Sequence, residues 1–359
     1  MKRSKLLLIL LIVTLNAAAQ KLHIKDTDGN PVGYANVINH SGTVLGMSDL
    51  DGLVDITPMA PAVQDKPVTI THIAFKPVTL QLGNANSTQE VTLEETDFDM
   101  PEVTVTPKDF IYVQTYYRVL YMQDDTVVYY RAGLIDNAYD LKKKTLKTDS
   151  HHFSKAQYGI LKFALNKLAG STLESYADLP IKKNIASELT ITKESPERER
   201  VSYKGQQIGN IINDLSSQQR RIAVDMQAFT RLVYQEQGKE KRLRRMDAKK
   251  NIKHNFYRVY QTDSEGNFGL EDFMMTQWLD DYDSYERLYK KDVHTRIWLE
   301  SFSTDRAYVT KKELKERKKQ NRREMNISSM RQFEQEHGVP AYAPQIQERL
   351  KVLFKKASD

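Results

Sequence analysis

Strand-sized runs rich in Val, Ile, Thr and Tyr, set off by Asp-Gly turns, recur along most of this chain and commit it to a β fold. Between Lys21 and Val105, LHIKD leads into Asp28-Gly29-Asn30-Pro31, and YANVIN leads towards Ser48-Asp49-Leu50-Asp51-Gly52. LVDI, VTITHIAF, VTLQL, EVTLEE and PEVTVTP then follow in order. In such turns glycine supplies the positive φ and proline blocks further pairing. The pattern predicts a small β-sandwich over residues 20–106.

From Phe110 the pattern lengthens. FIYVQTYYRVLYM, a turn at Gln123-Asp124-Asp125, and TVVYYRAGLID read as a hairpin. Alternation there places Tyr117 and Tyr121 inward and Tyr116 outward. Residues 154–168 have helical spacing of Leu161, Ala164, Leu165 and Leu168, with Ser154 as a cap and Gly170 as a stop. LTIT, VSYK, IGNII, RRIAVDM, FYRVYQ and RIWLESF are further strands, with a hairpin turn at Asp263–Asn267. At the end, Thr310-Lys311-Lys312-Glu313 is a capping box that opens a basic helix over 311–324. Pro344 opens an amphipathic helix over 344–356, with Ile346, Leu350, Leu353 and Phe354 on the face that docks on the sheet. The fold class expected is mainly β, or α+β: a β-sandwich followed by an antiparallel α+β domain over 107–359 with C-terminal helices.

The chain opens on a secretory leader. Lys2, Arg3 and Lys5 precede the apolar run Leu6 to Leu15, and Ala17 and Ala19 set a small-residue site whose cleavage leaves Gln20 first. The expectation is export to the periplasm or the outer-membrane surface, or beyond it. No later run approaches the roughly 20 apolar residues of a spanning helix, so no transmembrane span is expected in the mature chain. There is no cysteine, so disulfides, thiolate metal sites and cysteine nucleophiles are excluded. Charge divides the chain: residues 20–107 carry a net −8 and residues 108–359 a net +11. That break near residue 107 supports two domains with different surfaces. Nucleic acid is not an expected partner, because the basic residues are interleaved with acidic ones.

The order of pieces in the first part carries a resemblance. Lys21-Leu22-His23-Ile24 with DxDGxP, then AxV, SDxDG and an apolar strand, THIAFKP, an alternating VTL and a closing PEVTV resemble the carboxypeptidase regulatory-like domain. The resemblance covers residues 21–106 and departs at Ala74-Phe75, where that family usually has Gly-Tyr. It implies a prealbumin-like β-sandwich with no catalytic residues of its own. The tyrosine-rich hairpin and YVTKKELKERKK are similar to parts of secreted Bacteroidetes-type proteins of unknown function, where they follow such a domain.

Chemistry is sparse. Zinc peptidase chemistry needs HxxE, and none of the eight histidines has a glutamate three residues on. His151-His152 is the one adjacent pair; neighbours on a strand point to opposite faces, and a loop before Ser154 is the expected setting. Asp26, Asp28 and Asn30 put glycine too early for a calcium loop and read as a hairpin turn. Asp280, Asp281 and Asp283 cluster beside Tyr282 and Tyr285 with no base evident, the remaining opening for a glycan-active enzyme. GxSxG, P-loop and GxGxxG motifs are absent. No cofactor or metal is expected.

Two basic runs remain, 238–253 and 311–324. Each reads first as a solvated helix with pairs such as Glu313 with Arg317. In the second, Lys315, Lys318, Lys319, Arg322 and Arg323 fall near one side and suit an envelope protein or an anionic envelope surface. The function expected is a non-catalytic exported binding or assembly module of the cell envelope. The alternatives are a carrier of a lipid-like ligand in the second domain and, third, a glycan-active enzyme. A filled core favours the module, and an apolar hollow beside 154–168 favours the carrier.

Overall fold

The computed structural model describes residues 21–56, 66–82, 88–98, 108–157, 189–286, 290–320 and 327–358. The chain divides into two compact units between Glu95 and Thr96.

In the first unit, β1 (Lys21–Asp26) pairs antiparallel with β4 (Leu53–Asp55) and parallel with β7 (Thr88–Leu93). A second sheet runs β3 (Val44–Met47), β2 (Asn36–Asn39), β5 (Val68–His72), β6 (Phe75–Leu80), antiparallel throughout. Leu22, Ile24, Val37, Val54, Ile70 and Leu93, from the two sheets, are among the unit's buried side chains. The Asp-Gly turns work through their carboxylates. Asp26 Oδ1 accepts the backbone N–H groups of Asp28 and Asn30 at 3.0 and 2.7 Å, and Asp49 Oδ1 accepts those of Asp51 and Leu53, both at 2.9 Å. Each carboxylate thereby holds a tight loop open for the next strand.

The second unit is built on one ten-stranded sheet. Its order is β10 (Thr145–Gln157), β9 (Thr126–Asp140), β8 (Phe110–Gln123), β17 (Lys291–Val309), β16 (Phe273–Glu286), β15 (Lys250–Gln261), β14 (Gln219–Asp225), β13 (Gln206–Asp214), β12 (Arg198–Tyr203), β11 (Leu189–Lys193). All neighbours are antiparallel. The β8–β9 loop is Asp124-Asp125, with φ of 44° and 62°, the left-handed pair that a two-residue hairpin requires. Tyr117 packs over Gly133, where a Cβ would stand 2.1 Å from the His151 carbonyl oxygen.

Both faces of this sheet are covered, so β8 and β9 read as nearly continuous burial. On the first face Val113, Tyr117, Ile135, Ile222, Phe256, Trp278 and Leu299 share one core. Helix α1 (Met226–Glu236) lies on it, its start capped by Asp225, which accepts the Ala228 N–H at 2.9 Å. Phe229 of α1 meets the Tyr203 ring edge-on at 5.3 Å. Helix α2 (Glu240–Asp247) follows with no buried residue. The second face carries α3 (Lys311–Gln320), α4 (Ile327–Glu336) and α5 (Pro344–Ser358).

Several expectations change. Tyr116 is fully buried, because α4 covers the face on which it stands: Phe333 lies 5.6 Å from its ring. Ser154 begins no helix, since β10 runs to Gln157 and pairs there with Tyr129; the rest of the 154–168 prediction lies outside the described residues. RRIAVDM stops as a strand at Asp225, whose side chain turns the chain into α1. The 238–253 run is helical only over α2 and then enters β15. The capping box is present, with Glu313 Oε2 accepting the Thr310 N–H at 2.7 Å. The last helix buries Ile346, Leu350 and Leu353 as its spacing predicts.

Gly52 has φ +74°, and a Cβ there would stand 2.3 Å from the Ile24 carbonyl oxygen. Gly52→Ala is expected to destabilise the first unit by about 2–3 kcal/mol, from left-handed strain and the displaced β1 backbone. Trp278 and Trp298, the chain's two tryptophans, both lie in the second unit. In urea, the far-UV circular dichroism transition should therefore shift while the tryptophan fluorescence transition stays in place.

Candidate functional site

The register of β8 against β17 sets Arg118 directly opposite Glu300, and that of β17 against β16 sets Glu300 opposite Gln277. All three point to the second face, under α4. Arg118, 3 % exposed, reaches Glu300 Oε2 through Nε and Nη2, both at 2.7 Å. Its Nη1 lies 3.3 Å from Glu334 Oε1 of α4. Gln277 Nε2 donates to Glu300 Oε1 at 3.1 Å, and the Tyr116 hydroxyl donates to Glu334 Oε1 at 2.8 Å. Tyr342, in the turn between α4 and α5, lays its ring 3.8 Å from the Arg118 guanidinium carbon.

Beside this cluster a cavity of about 230 Å³ opens between α4, α5 and the sheet. Tyr130, Met330, Val339, Tyr342, Leu350 and Phe354 give it apolar and aromatic walls, with Arg118 and Glu334 at its polar side. Tyr130 meets Phe354 edge-on at 5.5 Å and donates its hydroxyl to Met330 Sδ at 3.3 Å. Burial raises the hydroxyl pKa of Tyr116, Tyr130 and Tyr342, so all three remain donors at neutral pH. Burial also works against the charge on Arg118, but Glu300, Tyr342 and Glu334 outweigh it and hold its pKa well above the ordinary value.

A second polar group runs along β15, β16 and β17, with Asp281, Asp283, His294 and Arg296 on the same face and Asp280 and His254 on the opposite one. His294 Nδ1 is 2.7 Å from Asp283 and its Nε2 is 3.1 Å from Asp281. Arg296 closes on Asp281 as well, and His254 Nε2 is 3.3 Å from Asp280. The hydrogen bonds to Asp281 and Asp283 raise the His294 pKa to about 9. Burial pushes Asp281 up, but His294 and Arg296 prevail and hold it below the usual range. The carboxylates singled out in the sequence thus have histidine and arginine partners from neighbouring strands.

The other sequence candidates fall in different places. Lys315 and Lys319 are exposed on α3, whereas Lys318 is half-buried, 3.9 Å from Asp149 of β10. Arg322 and Arg323, and the expected cleavage-site residues Ala17, Ala19 and Gln20, lie outside the described residues. The Glu313–Arg317 pair does not form: Arg317 binds Asp305 of β17, and Glu313 takes Lys108 Nζ at 3.0 Å. His151 sits on β10, and no loop precedes Ser154; its Nε2 is 3.0 Å from the buried Asp136, which also accepts the Tyr112 hydroxyl at 2.6 Å. Among the described residues no group of three or more acidic or histidine side chains is placed to hold a metal ion. Sequence reasoning missed Arg118, Glu300 and Glu334, which are separated by up to 216 residues and meet only through sheet pairing and helix docking.

No protein-family model matches this chain, and no curated protein matches it.

Two outcomes are expected. Glu300→Ala leaves a buried guanidinium with half its compensation and should cost about 3–5 kcal/mol, read from the tryptophan-fluorescence transition in urea. His294 has a raised pKa, so its contribution is complete below pH ~6.5 and is lost as pH rises through about 9. After discounting for solvent screening it amounts to about 1–2 kcal/mol. His294→Gln should be less stable than the parent by that amount at pH 6 and indistinguishable from it at pH 10.

Proposed function

We propose that the chain is an exported, non-catalytic binding module of the cell envelope, with the cleft beneath α4 and α5 as its recognition site. The observation that carries this reading is the cleft itself: a hollow with aromatic side chains in its walls and hydrogen-bonded charged groups fixed on a sheet strand and on α4. Sites built on strands hold their geometry better than sites on loops, and that suits recognition. The cleft is smaller than the roughly 300–1,000 Å³ of pockets for drug-sized ligands, which weighs against a lipid cargo there. On the first face Phe229 packs into the core shared by the sheet strands, and the hollow that would mark a carrier beside 154–168 falls outside the described residues. The carboxylates open to a glycan-active reading are engaged by His254, His294 and Arg296.

Export rests on the leader, and the regulatory-like character of the first unit rests on its motifs. Among the described residues, no helix is long and apolar enough to cross a membrane. The exposed lysines of α3 supply a cationic surface for an acidic envelope partner.

The test is crosslinking capture from intact envelopes. Replacing Ala341, an exposed residue of the cleft wall, by Trp should abolish capture of the partner that the parent retains. Changing Lys315, Lys319, Arg322 and Arg323 together to Gln should reduce envelope retention several-fold at low salt and little at moderate salt. Capture and retention unaltered by both sets, in folded protein, would sink the reading.

A further inference from the structure

We propose that the cleft beneath α4 and α5 takes a small organic cation, an ammonium group carried on an apolar body. The inference rests on the reading of the cleft as a recognition site and adds the chemical class of its ligand.

Charge is the first argument. Arg118, Glu300 and Glu334 sum to one net negative charge, and their side chains are 3, 8 and 19 % exposed. A buried excess charge is costly unless something compensates it. The excess falls on Glu334. Its Oε1 accepts Tyr116 and Arg118, whereas its Oε2 receives no hydrogen bond from any described residue. Arg118 is already turned towards Glu300 and Glu334, so it offers an incoming anion nothing that those carboxylates do not hold. Arg331, also on the wall, is exposed, where water and salt screen it.

The walls are the second argument. Tyr130, Tyr342 and Phe354 place three aromatic rings around the hollow; Tyr342 already carries Arg118 and Trp298, so Tyr130 and Phe354 are the rings left to attract a ligand cation. Leu350, Val339 and Met330 provide the apolar surface that a hydrocarbon body needs. At about 230 Å³ the hollow exceeds the ~150 Å³ cavity that accepts benzene, so a one-ring amine fits it. An ammonium on Glu334 Oε2 makes a charge-assisted bond without displacing Tyr116 or Arg118 from Oε1.

The experiment titrates the full chain, by calorimetry and by NMR, with three near-isosteric probes: 2-phenylethylammonium, neutral 2-phenylethanol and anionic 3-phenylpropionate. The ammonium should bind saturably, the alcohol about 10-fold or more weaker, and the carboxylate not measurably. Glu334→Gln should weaken the ammonium by about 10- to 100-fold while leaving the alcohol unchanged. That substitution also loosens α4, so Ala341→Trp serves as the second variant: it touches no ion pair and should abolish binding of both. Ammonium binding that neither variant weakens, or no saturable ammonium binding, would overturn the assignment. Equal or tighter binding of the carboxylate, lost in Ala341→Trp, would overturn the cation while leaving the cleft a recognition site. Unaltered envelope capture by Ala341→Trp removes the cleft reading itself.

Discussion

The pairing of β8 with β17 is the contact on which the second unit depends. Without it the chain is two separate meanders, β8–β10 and β11–β17, each with an open edge. Pairing those two strands makes one ten-stranded sheet and brings residues nearly two hundred positions apart into register. Loop-closure entropy rises only slowly with length, so a few kcal/mol of pairing and burial can hold so distant a join. The bulge between Ser303 and Asp305 then re-aims the end of β17. Asp305 beyond it meets Arg317, and so α3 begins its course over the sheet.

A sheet covered on both sides has no wet face for its charges. Antiparallel sheets commonly leave one face to water, and over β8 and β9 this one does not. Charged residues on its strands must therefore be neutralised from an adjacent strand or from a covering helix. Arg118 with Glu300, Arg221 with Asp214, and Arg296 with Asp281 all do so across the sheet. Because side chains alternate, a slip of one residue would send each arginine to the opposite face from its carboxylate. The ion pairs thus specify register whatever their net worth in stability. Arg258, 1 % exposed, is handled differently: it donates to the Tyr260 hydroxyl at 3.2 Å and stacks 4.7 Å from the Phe256 ring. Aromatic faces there take the role that carboxylates have elsewhere.

The local features were legible in the sequence and the long-range ones were not. The Asp-Gly turns, the Asp124-Asp125 hairpin, the Thr310–Glu313 capping box and the spacing of Ile346, Leu350 and Leu353 each depend on neighbours within a few residues. Their chemistry can be read directly. Helix α1 left a trace that went unread: Asp225 as a cap, then Phe229, Leu232 and Val233 at helical spacing, hidden behind the strand-like RIAV that precedes it. Tyr116 shows the harder limit. Alternation assigns it a face correctly, but nothing local says that a helix more than two hundred residues away will cover that face. The same holds for Asp281 and His294, which lie on separate strands and become partners only through register. The cleft was illegible for that reason.

In the proposed cation site Glu334 has two tasks, and they reinforce each other. Through Oε1 it fastens α4 to the sheet by way of Tyr116 and Arg118, and its side chain lines the cleft. A group that used one oxygen for both purposes would make ligand and helix compete, and binding would loosen the fold. Separate oxygens remove that conflict. A cation on Oε2 also lowers the energy of holding the carboxylate in a poorly solvated site, so it strengthens the seat of α4. Linkage then runs in both directions: whatever tightens α4 on the sheet presents Oε2 better, and whatever occupies Oε2 favours the seated helix. The turn after α4, with Gly338 at φ +61°, carries Val339 and Tyr342 over the same hollow. If the proposed cation occupies the cleft, the helix, the turn and the ligand position are coupled through this one side chain.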